Sequence, residues 1–196
     1  MKKRIAFLAS GSGSNVEAIL QAMKDPAYPA EPVLILTNRP EAGVLAKASH
    51  HGVASVFIDH KSYDSREAFD AAVVAALKPA APDLICLAGY MRIITPVFLE
   101  AYGGRILNIH PALLPKHGGP GMYGHHVHAA VIAAKDAESG ASVHWVTEEV
   151  DGGAVILQER VPVLPGDSAE SLAARVLAAE HKVYPEALRR ICLGQA

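Results

Sequence analysis

The chain has 196 residues and a mass of 20.7 kDa, which is the size of one domain and excludes a multidomain assembly. Its composition, 51% hydrophobic and 19% charged, is too apolar for a disordered protein. The 18 basic and 20 acidic side chains create no overall field that would attract nucleic acid or an anionic membrane. We therefore expect neither as a partner, and any anion site must be local.

The cysteines and the N-terminal segment favour a cytoplasmic location. Cys86 and Cys192 are far apart in sequence and form no CxxC pair, so they indicate neither a disulfide framework nor a thiolate metal site. The basic start followed by apolar residues 5–9 imitates a signal peptide, but this stretch is short and ends in a glycine-rich turn. We interpret it as a first strand. No apolar run approaches the ~18 residues that a membrane span needs.

The first half of the chain predicts alternating strands and helices. Strands are predicted at residues 4–10, 33–36, 53–58 and 84–88. Helices are predicted from Ser14, over 42–51, and from Asp64 to the prolines at 79 and 82; Ser14 and Asp64 each have a glutamate three residues later, the spacing of a capping box.

The second half predicts a strand at 105–109, a long loop over 111–124 and a helix over 127–135. Two more strands at 142–147 and 155–163 precede a final helix that Asp167 and Glu170 would cap. This alternation predicts an α/β fold: one domain with a mostly parallel twisted sheet, helices on both faces and a Rossmann-like N-terminal half. Ligands bind such sheets at the C-terminal ends of the strands.

The turn GSGSN at residues 11–15 joins the first strand to the first helix, where free N–H groups and the helix dipole favour an anion. A phosphate monoester fits better than a dinucleotide, because Val16 stands where a GxGxxG motif needs glycine and the second strand leads into Thr37-Asn38-Arg39, without an acid for a ribose. The absence of a GK[ST] motif disfavours a P-loop. The alternative is a tight turn whose Ser14 only caps the helix.

Asn108 and His110 alternate with Ile109 near the end of the fifth strand, so the two polar side chains point to one face. Together they supply an amide donor for a carbonyl oxygen and an imidazole that moves a proton. Asp151 lies in a later turn and, if it reaches His110, would raise the pKa of the imidazole. The alternatives are a hydrogen-bonded buried pair and an ordinary turn aspartate.

Two other chemistries lack support in the sequence. Six of the ten histidines fall between residues 110 and 144, but no HExxH or Cys/His spacing frames a metal site, so we expect no metal. The sequence contains neither a G-x-S-x-G elbow nor a cysteine with an activating neighbour, so an acyl-enzyme has little support. The remaining possibility is direct transfer between two bound substrates.

The chain resembles the phosphoribosylglycinamide formyltransferases, folate-dependent enzymes of purine synthesis. Their motifs appear in order over nearly the full length: GSGSN at 11–15, SRE at 65–67, LAGYMRI at 87–93, LNIHPALLP at 107–115, SVHWVTEEVDGG at 142–153 and AEHKVYP at 179–185. The Asn-x-His-Pro segment with a later Asp is shared by other formyl-folate enzymes, whereas GSGSN points to this member.

The resemblance implies a formyltransferase fold, a reaction and a set of site residues. The formyl group of 10-formyltetrahydrofolate would pass directly to the amine of glycinamide ribonucleotide, without a metal and with His110 as proton donor and oxyanion stabiliser, in de novo purine biosynthesis. The implied residues are Gly13, Ser14 and Asn15 for the 5′-phosphate; Glu180 for the ribose; Arg66, Met91, Arg92, Ile93, Ile94 and Asn108 for the folate; and Asn108, His110 and Asp151 for catalysis. About residues 1–100 would form the phosphate-binding half, and about 101–196 the catalytic and folate-binding half.

Some positions keep a second interpretation or depart from the family pattern. Arg66 also suits an exposed helix start, and residues 91–94 also suit an apolar strand exit. The segment 116–128 is longer than is common in the family. Leu177 stands one helical turn before Glu180, where some relatives carry a polar residue that helps to bind the ribonucleotide.

Three alternative functions share parts of this pattern. Formyltetrahydrofolate deformylase normally carries an additional N-terminal domain, and methionyl-tRNA formyltransferase needs a C-terminal domain and a basic surface; this sequence is expected to have neither. A non-catalytic phosphate-ligand binding protein would keep Asn108 and His110 for structure alone. The sequence is compatible with a monomer or a homodimer.

Overall fold

Strands and helices alternate through the first half of the chain in the computed structural model, which describes residues 1–195. The elements are β1 (Lys3–Leu8), α1 (Ser14–Ala22), β2 (Ala30–Thr37), α2 (Val44–His51), β3 (Ser55–Phe57), α3 (Arg66–Leu77), β4 (Leu84–Leu87) and α4 (Pro96–Tyr102). The predicted strands and helices are present with shifted ends. Helix α4 was not predicted, because its seven residues carry too little helical periodicity and begin at a proline.

The second half contains β5 (Ile106–His110), α5 (His125–Ala133), β6 (Glu138–Trp145), β7 (Val155–Pro162) and α6 (Ala169–Cys192). Strand β6 begins four residues before the predicted start at residue 142, because Glu138 to Ala141 pair with β7. None of the helices within residues 1–195 has the length and apolar character needed to cross a membrane.

The seven strands form one sheet in the order β3-β2-β1-β4-β5-β6-β7. The first five pair in parallel, whereas β6 pairs antiparallel with both β5 and β7. Parallel neighbours need a crossover connection, and helices supply it here, whereas the loop of residues 146–154 joins the antiparallel strands β6 and β7. The predicted mostly parallel sheet is confirmed.

Buried apolar side chains cover both faces of the sheet. One core contains Val16 and Ile19 of α1, Val44 of α2 and Leu172 and Val176 of α6. The other is formed by α3 and α4, through residues such as Phe69, Val73 and Phe98. The prediction of helices on both faces is therefore confirmed.

The three predicted helix caps are each wrong by one residue. The residue that caps α1 is Gly13, not Ser14, and within residues 1–195 no side chain makes the capping hydrogen bond. For α3 the cap is Ser65, whose Oγ accepts a hydrogen bond from the Ala68 amide at 3.0 Å, rather than Asp64. For α6 it is Ser168 rather than Asp167, which forms an ion pair with Arg175 at 2.7 Å. Serine and aspartate cap comparably well, so the sequence alone distinguishes poorly between neighbouring candidates.

Candidate active site

Three segments meet at one edge of the sheet, because β1, β4 and β5 are adjacent and parallel. Their C-terminal ends lead into residues 11–15, residues 88–95 and the loop that begins at Pro111. Parallel sheets bind ligands at this edge. The sequence motifs that are far apart along the chain thus become neighbours.

We call residues 11–15 the glycine turn. Gly13 has a φ of +73°, and a Cβ added there would lie 2.6 Å from Cγ2 of Val44 at the start of α2. Only glycine suits both the positive φ and this close approach. Since no described side chain caps α1, the N–H groups of its first turn stay available to an anion.

Asn15 and Glu180 come together from opposite ends of the chain. The Asn15 amide Nδ2 donates to Oε2 of Glu180 at 2.6 Å, and both residues are buried. Burial raises the pKa of Glu180, and the hydrogen bond from Asn15 offsets only part of this effect. The other amide atom of Asn15, Oδ1, is buried without a hydrogen-bond partner among the described residues. This side of the glycine turn therefore holds polar groups that a ligand could satisfy.

The segment 91–94 follows β4 and lies beside the glycine turn. Met91 and Ile93 are about half exposed, which is unusual for such apolar side chains, whereas Ile94 packs on the second core. The Met91 amide donates to Oγ of Ser10 at 2.9 Å, and this hydroxyl donates to Asn38 Oδ1 at 2.6 Å. Ser10 therefore ties the segment to the end of β1.

The two arginines predicted for folate both lie at α3. The Arg92 guanidinium lies 5.6 Å from the centroid of the Phe69 ring. Arg66 is exposed at the first position of α3, three residues before Phe69, so the two share a helix face. The helix-start interpretation of Arg66 is correct, and its position does not conflict with a role in binding.

Asn108, His110 and Asp151 are brought together at the end of β5. Nδ1 of His110 lies 3.3 Å from Oδ2 of Asp151, a contact that sequence spacing alone could not establish. Nε2 of His110 donates to the His117 carbonyl at 2.8 Å. Both ring nitrogens therefore face acceptor atoms, an arrangement that suits an imidazole that gains a second proton during a reaction.

The expected rise in the pKa of His110 is wrong. Burial lowers the pKa of this imidazole, and the attraction of Asp151 and the hydrogen bond to the His117 carbonyl offset only part of the effect. His110 is 3% exposed, so the loss of hydration dominates. The resting imidazole is consequently neutral near pH 7, which suits a proton acceptor first and a donor second.

Asp151 is held as a carboxylate in a strained backbone conformation. Its φ is +57°, which is uncommon for a residue with a side chain. Burial alone would raise the pKa of Asp151, but contacts with His144, His110 and the Gly119 amide together lower it. The Gly119 amide donates to Oδ2 at 3.0 Å, so the loop after β5 also fixes this carboxylate.

That loop is anchored by charged and polar contacts. His117 Nε2 lies 2.7 Å from Oδ2 of Asp136, and Lys116 pairs with the same carboxylate. Despite the many histidines, no group of three or more metal-ligating side chains is assembled within the described part of the chain.

Sequence reasoning missed two residues on β6. Ser142 Oγ accepts from the Leu114 amide at 3.0 Å and donates to the Ala112 carbonyl at 2.6 Å, which shapes the loop after β5. His144 contacts both Asn108 and Asp151. The alternation of Ser142 and His144 along a strand was the available signal, because it places both on one face.

Comparisons with known proteins agree with this geometry. Residues 3–188 match the family model described as formyl transferase. The phosphoribosylglycinamide formyltransferase of Escherichia coli K12 is 44% identical over 92% of this chain and 83% of its own length. The trifunctional purine biosynthetic protein adenosine-3 of Drosophila melanogaster is also 44% identical over the whole chain, which spans only 14% of that protein.

Solved structures show the same fold. The Brucella melitensis phosphoribosylglycinamide formyltransferase superposes with a TM-score of 0.92 and 46% identity, covering 100% of this chain and 98% of its own. The glycinamide ribonucleotide transformylase 1 of Symbiobacterium toebii has a TM-score of 0.93 and 41% identity, covering 98% and 89%. The chain thus belongs to the formyl transferase family, among the phosphoribosylglycinamide formyltransferases.

Proposed function

We propose that the protein transfers the formyl group of 10-formyltetrahydrofolate to the amine of glycinamide ribonucleotide, giving formylglycinamide ribonucleotide and tetrahydrofolate in purine biosynthesis. The observation that carries the proposal is the 3.3 Å contact between His110 and Asp151, beside Asn108 and next to the open glycine turn. The family membership supports the reaction type.

The ribonucleotide would bind along α1 and α6. Gly13, Ser14 and Asn15 would hold its 5′-phosphate at the N-terminus of α1, and Glu180 would accept a hydrogen bond from a ribose hydroxyl. Leu177 is 38% exposed one turn before Glu180 and offers no charge to the phosphate, so the backbone N–H groups would carry more of the binding. Since Glu180 belongs to the second half of the chain, both halves would serve this substrate.

The folate would lie against residues 91–94. Half-exposed Met91 and Ile93 would cover the pterin, while Arg92, Ile94 and Asn108 would complete the site, and Arg66 would attract an acidic part of the cofactor. The two halves of the chain divide near residue 100. Each would contribute residues to both the phosphate site and the catalytic and folate site.

The reaction would proceed by direct transfer. The substrate amine attacks the formyl carbon, forming the new C–N bond and a tetrahedral oxyanion, and an N–H of Asn108 stabilises this oxyanion. With Nδ1 of His110 turned to Asp151, Nε2 would exchange the His117 carbonyl for the substrate and accept the proton that the attacking nitrogen loses, and Asp151 would stabilise the resulting imidazolium. The imidazolium then protonates the folate nitrogen as its bond to the formyl carbon breaks.

The decisive experiment measures formyl transfer in the presence of both substrates, with His110→Ala and the exposed His50→Ala as matched variants. We expect product that requires both substrates and is lost in His110→Ala, while His50→Ala resembles wild type. Formate released without the ribonucleotide would indicate a deformylase. Phosphate-ligand binding without turnover would indicate a binding protein.

We also propose a cytoplasmic location, which the free cysteines Cys86 and Cys192 support. The oligomeric state, monomer or homodimer, stays a prediction that sedimentation would decide.

A further inference from the structure

His144 lies on β6 directly opposite Asn108 in the antiparallel pairing with β5. It is 2% exposed, so its ring is removed from solvent. The ring contacts two of the three proposed catalytic residues, yet it has no role in the proposed reaction. A buried imidazole at this position calls for an explanation.

The hydrogen bonds of His144 define which ring nitrogen carries the proton. Nδ1 lies 2.9 Å from the carbonyl oxygen of Trp145, which can only accept, so Nδ1 carries the hydrogen. In a neutral ring Nε2 is then an acceptor. The amide Nδ2 of Asn108 lies 3.1 Å from Nε2 and donates to it.

This bond selects one of two orientations of the Asn108 amide. A flip of the amide would place Oδ1 against the lone pair of Nε2, and two acceptors would then repel each other. With the flip prevented, one amide N–H is held by His144 and the second N–H remains free. Only an N–H, and not a carbonyl oxygen, can stabilise an oxyanion.

We propose that His144 is a positioning residue that fixes the Asn108 amide with a free N–H directed at the reacting formyl oxygen. The effect of His144 on catalysis rests on the proposed function. The hydrogen bond itself, however, is a property of the resting protein and is measurable without substrates.

Asp151 provides the competing arrangement. Its Oδ1 lies 3.5 Å from Nε2 of His144, and a proton on Nε2 would account for the part of the lowered pKa of Asp151 that comes from His144, whereas the shorter contact of Nε2, 3.1 Å, is with the Asn108 amide. With Nε2 protonated, Asn108 would have to turn its oxygen toward His144 and away from the substrate. The two arrangements differ in the position of one proton.

Nitrogen NMR separates them. Long-range proton–nitrogen correlation spectra of the wild-type protein would identify the protonated nitrogen of each histidine, with His144 assigned from its backbone resonances in the same isotope-labelled protein. We expect a neutral ring protonated at Nδ1. A hydrogen on Nε2, alone or in an imidazolium, would overturn the proposal. This measurement decides even if the variants fold poorly.

Kinetics test the consequence. His144→Asn keeps a donor near Nδ1 but has no acceptor at the Nε2 position, whereas His144→Gln brings an amide oxygen close to it. We expect kcat of the asparagine variant to fall roughly 10-fold to 100-fold with unchanged KM, less than the ~100-fold to 1000-fold loss typical of removing an oxyanion donor. The glutamine variant should recover part of this loss, and the exposed His126→Asn should match wild type.

A double-mutant cycle shows whether His144 acts through Asn108. In an Asn108→Ala background, His144→Asn should cost nothing further, because the amide that it positions is gone. A full additional loss there, or a glutamine variant no better than asparagine, would overturn the proposal. A wild-type protein without transferase activity would instead overturn the proposed function, while the ring protonation would still report on the His144–Asn108 bond.

Discussion

The glycine turn and the strand-end cluster, the latter comprising Asn108, His110, His144 and Asp151, prepare for their ligands in different ways. The turn relies on the backbone: a positive φ at Gly13, a helix start without a side-chain cap and a close approach by Val44. The cluster relies on side chains from three separate segments that exchange hydrogen bonds out of solvent. Ligand binding at the glycine turn therefore depends on the backbone conformation, whereas the cluster depends on which of its side chains carry protons.

The largest expected effect is the loss of the charge in the cluster. Asp151→Asn removes the carboxylate that stabilises the imidazolium of His110, so we expect turnover to fall on the order of 100-fold or more with KM largely kept. Steady-state kinetics of the transfer reaction measure this. The exposed Asp64→Asn provides the control, and unchanged turnover in Asp151→Asn would remove Asp151 from the mechanism.

The glycine turn should respond to shape instead. Gly13→Ala forces a side chain into a positive φ and against Val44, so we expect a loss of about 1–3 kcal/mol of stability and a raised KM for the ribonucleotide. Gly11→Ala is the matched control, since a Cβ there would meet nothing within 4 Å. Denaturant unfolding and kinetics would compare them; equal behaviour of the two variants would contradict the assigned role of Gly13.

Ser10, which directly precedes the glycine turn, tests whether residues 91–94 depend on their hydrogen bond to the end of β1. Ser10→Ala leaves the Met91 amide and the buried Asn38 oxygen without their partner, so we expect a cost of about 1–3 kcal/mol and a raised KM for the folate. The exposed Ser62→Ala should change neither quantity. A folate KM that stays at the wild-type value would mean that residues 91–94 do not depend on this link.

The smallest effect concerns acid stability. Burial lowers the pKa of His110, His128 and His181, so each takes up a proton more readily when the chain unfolds. Unfolding free energy should therefore decrease as pH falls through the ordinary histidine value of ~6.5.

His128→Gln isolates one part of this acid effect. We expect a smaller decrease in unfolding free energy between about pH 7.5 and pH 5.5 than in wild type, while the exposed His126→Gln behaves like wild type. The raised pKa values of Glu180 and Asp70 act in the opposite direction, but both variants keep these two groups, so their contribution cancels in the comparison. Equal slopes for the two variants would mean that His128 does not contribute.

The sequence predicted what depends on local pattern and failed where tertiary contacts decide. Alternating apolar runs and the glycine-rich turn were sufficient for the α/β fold and for a site at the strand ends. The contact between Asn15 and Glu180 joins residues 165 positions apart, which no spacing rule predicts. The pKa direction of His110 was wrong because burial is a property of the folded protein. The caps were wrong because Ser65 and Asp64 differ little as local signals.

The pairing of β5 with β6 has a consequence for how the chain tolerates changes in length. Asn108 faces His144 and His110 faces Ser142 across this pair, and a slip of one residue would turn every one of these side chains to the other face. The segment between the two strands is hydrogen-bonded to the cluster at two points, because the His117 carbonyl accepts from His110 and the Gly119 amide donates to Asp151. Insertions between residues 120 and 124, beyond these contacts and before α5, should therefore leave the catalytic geometry intact, whereas a single deletion inside β6 would abolish it.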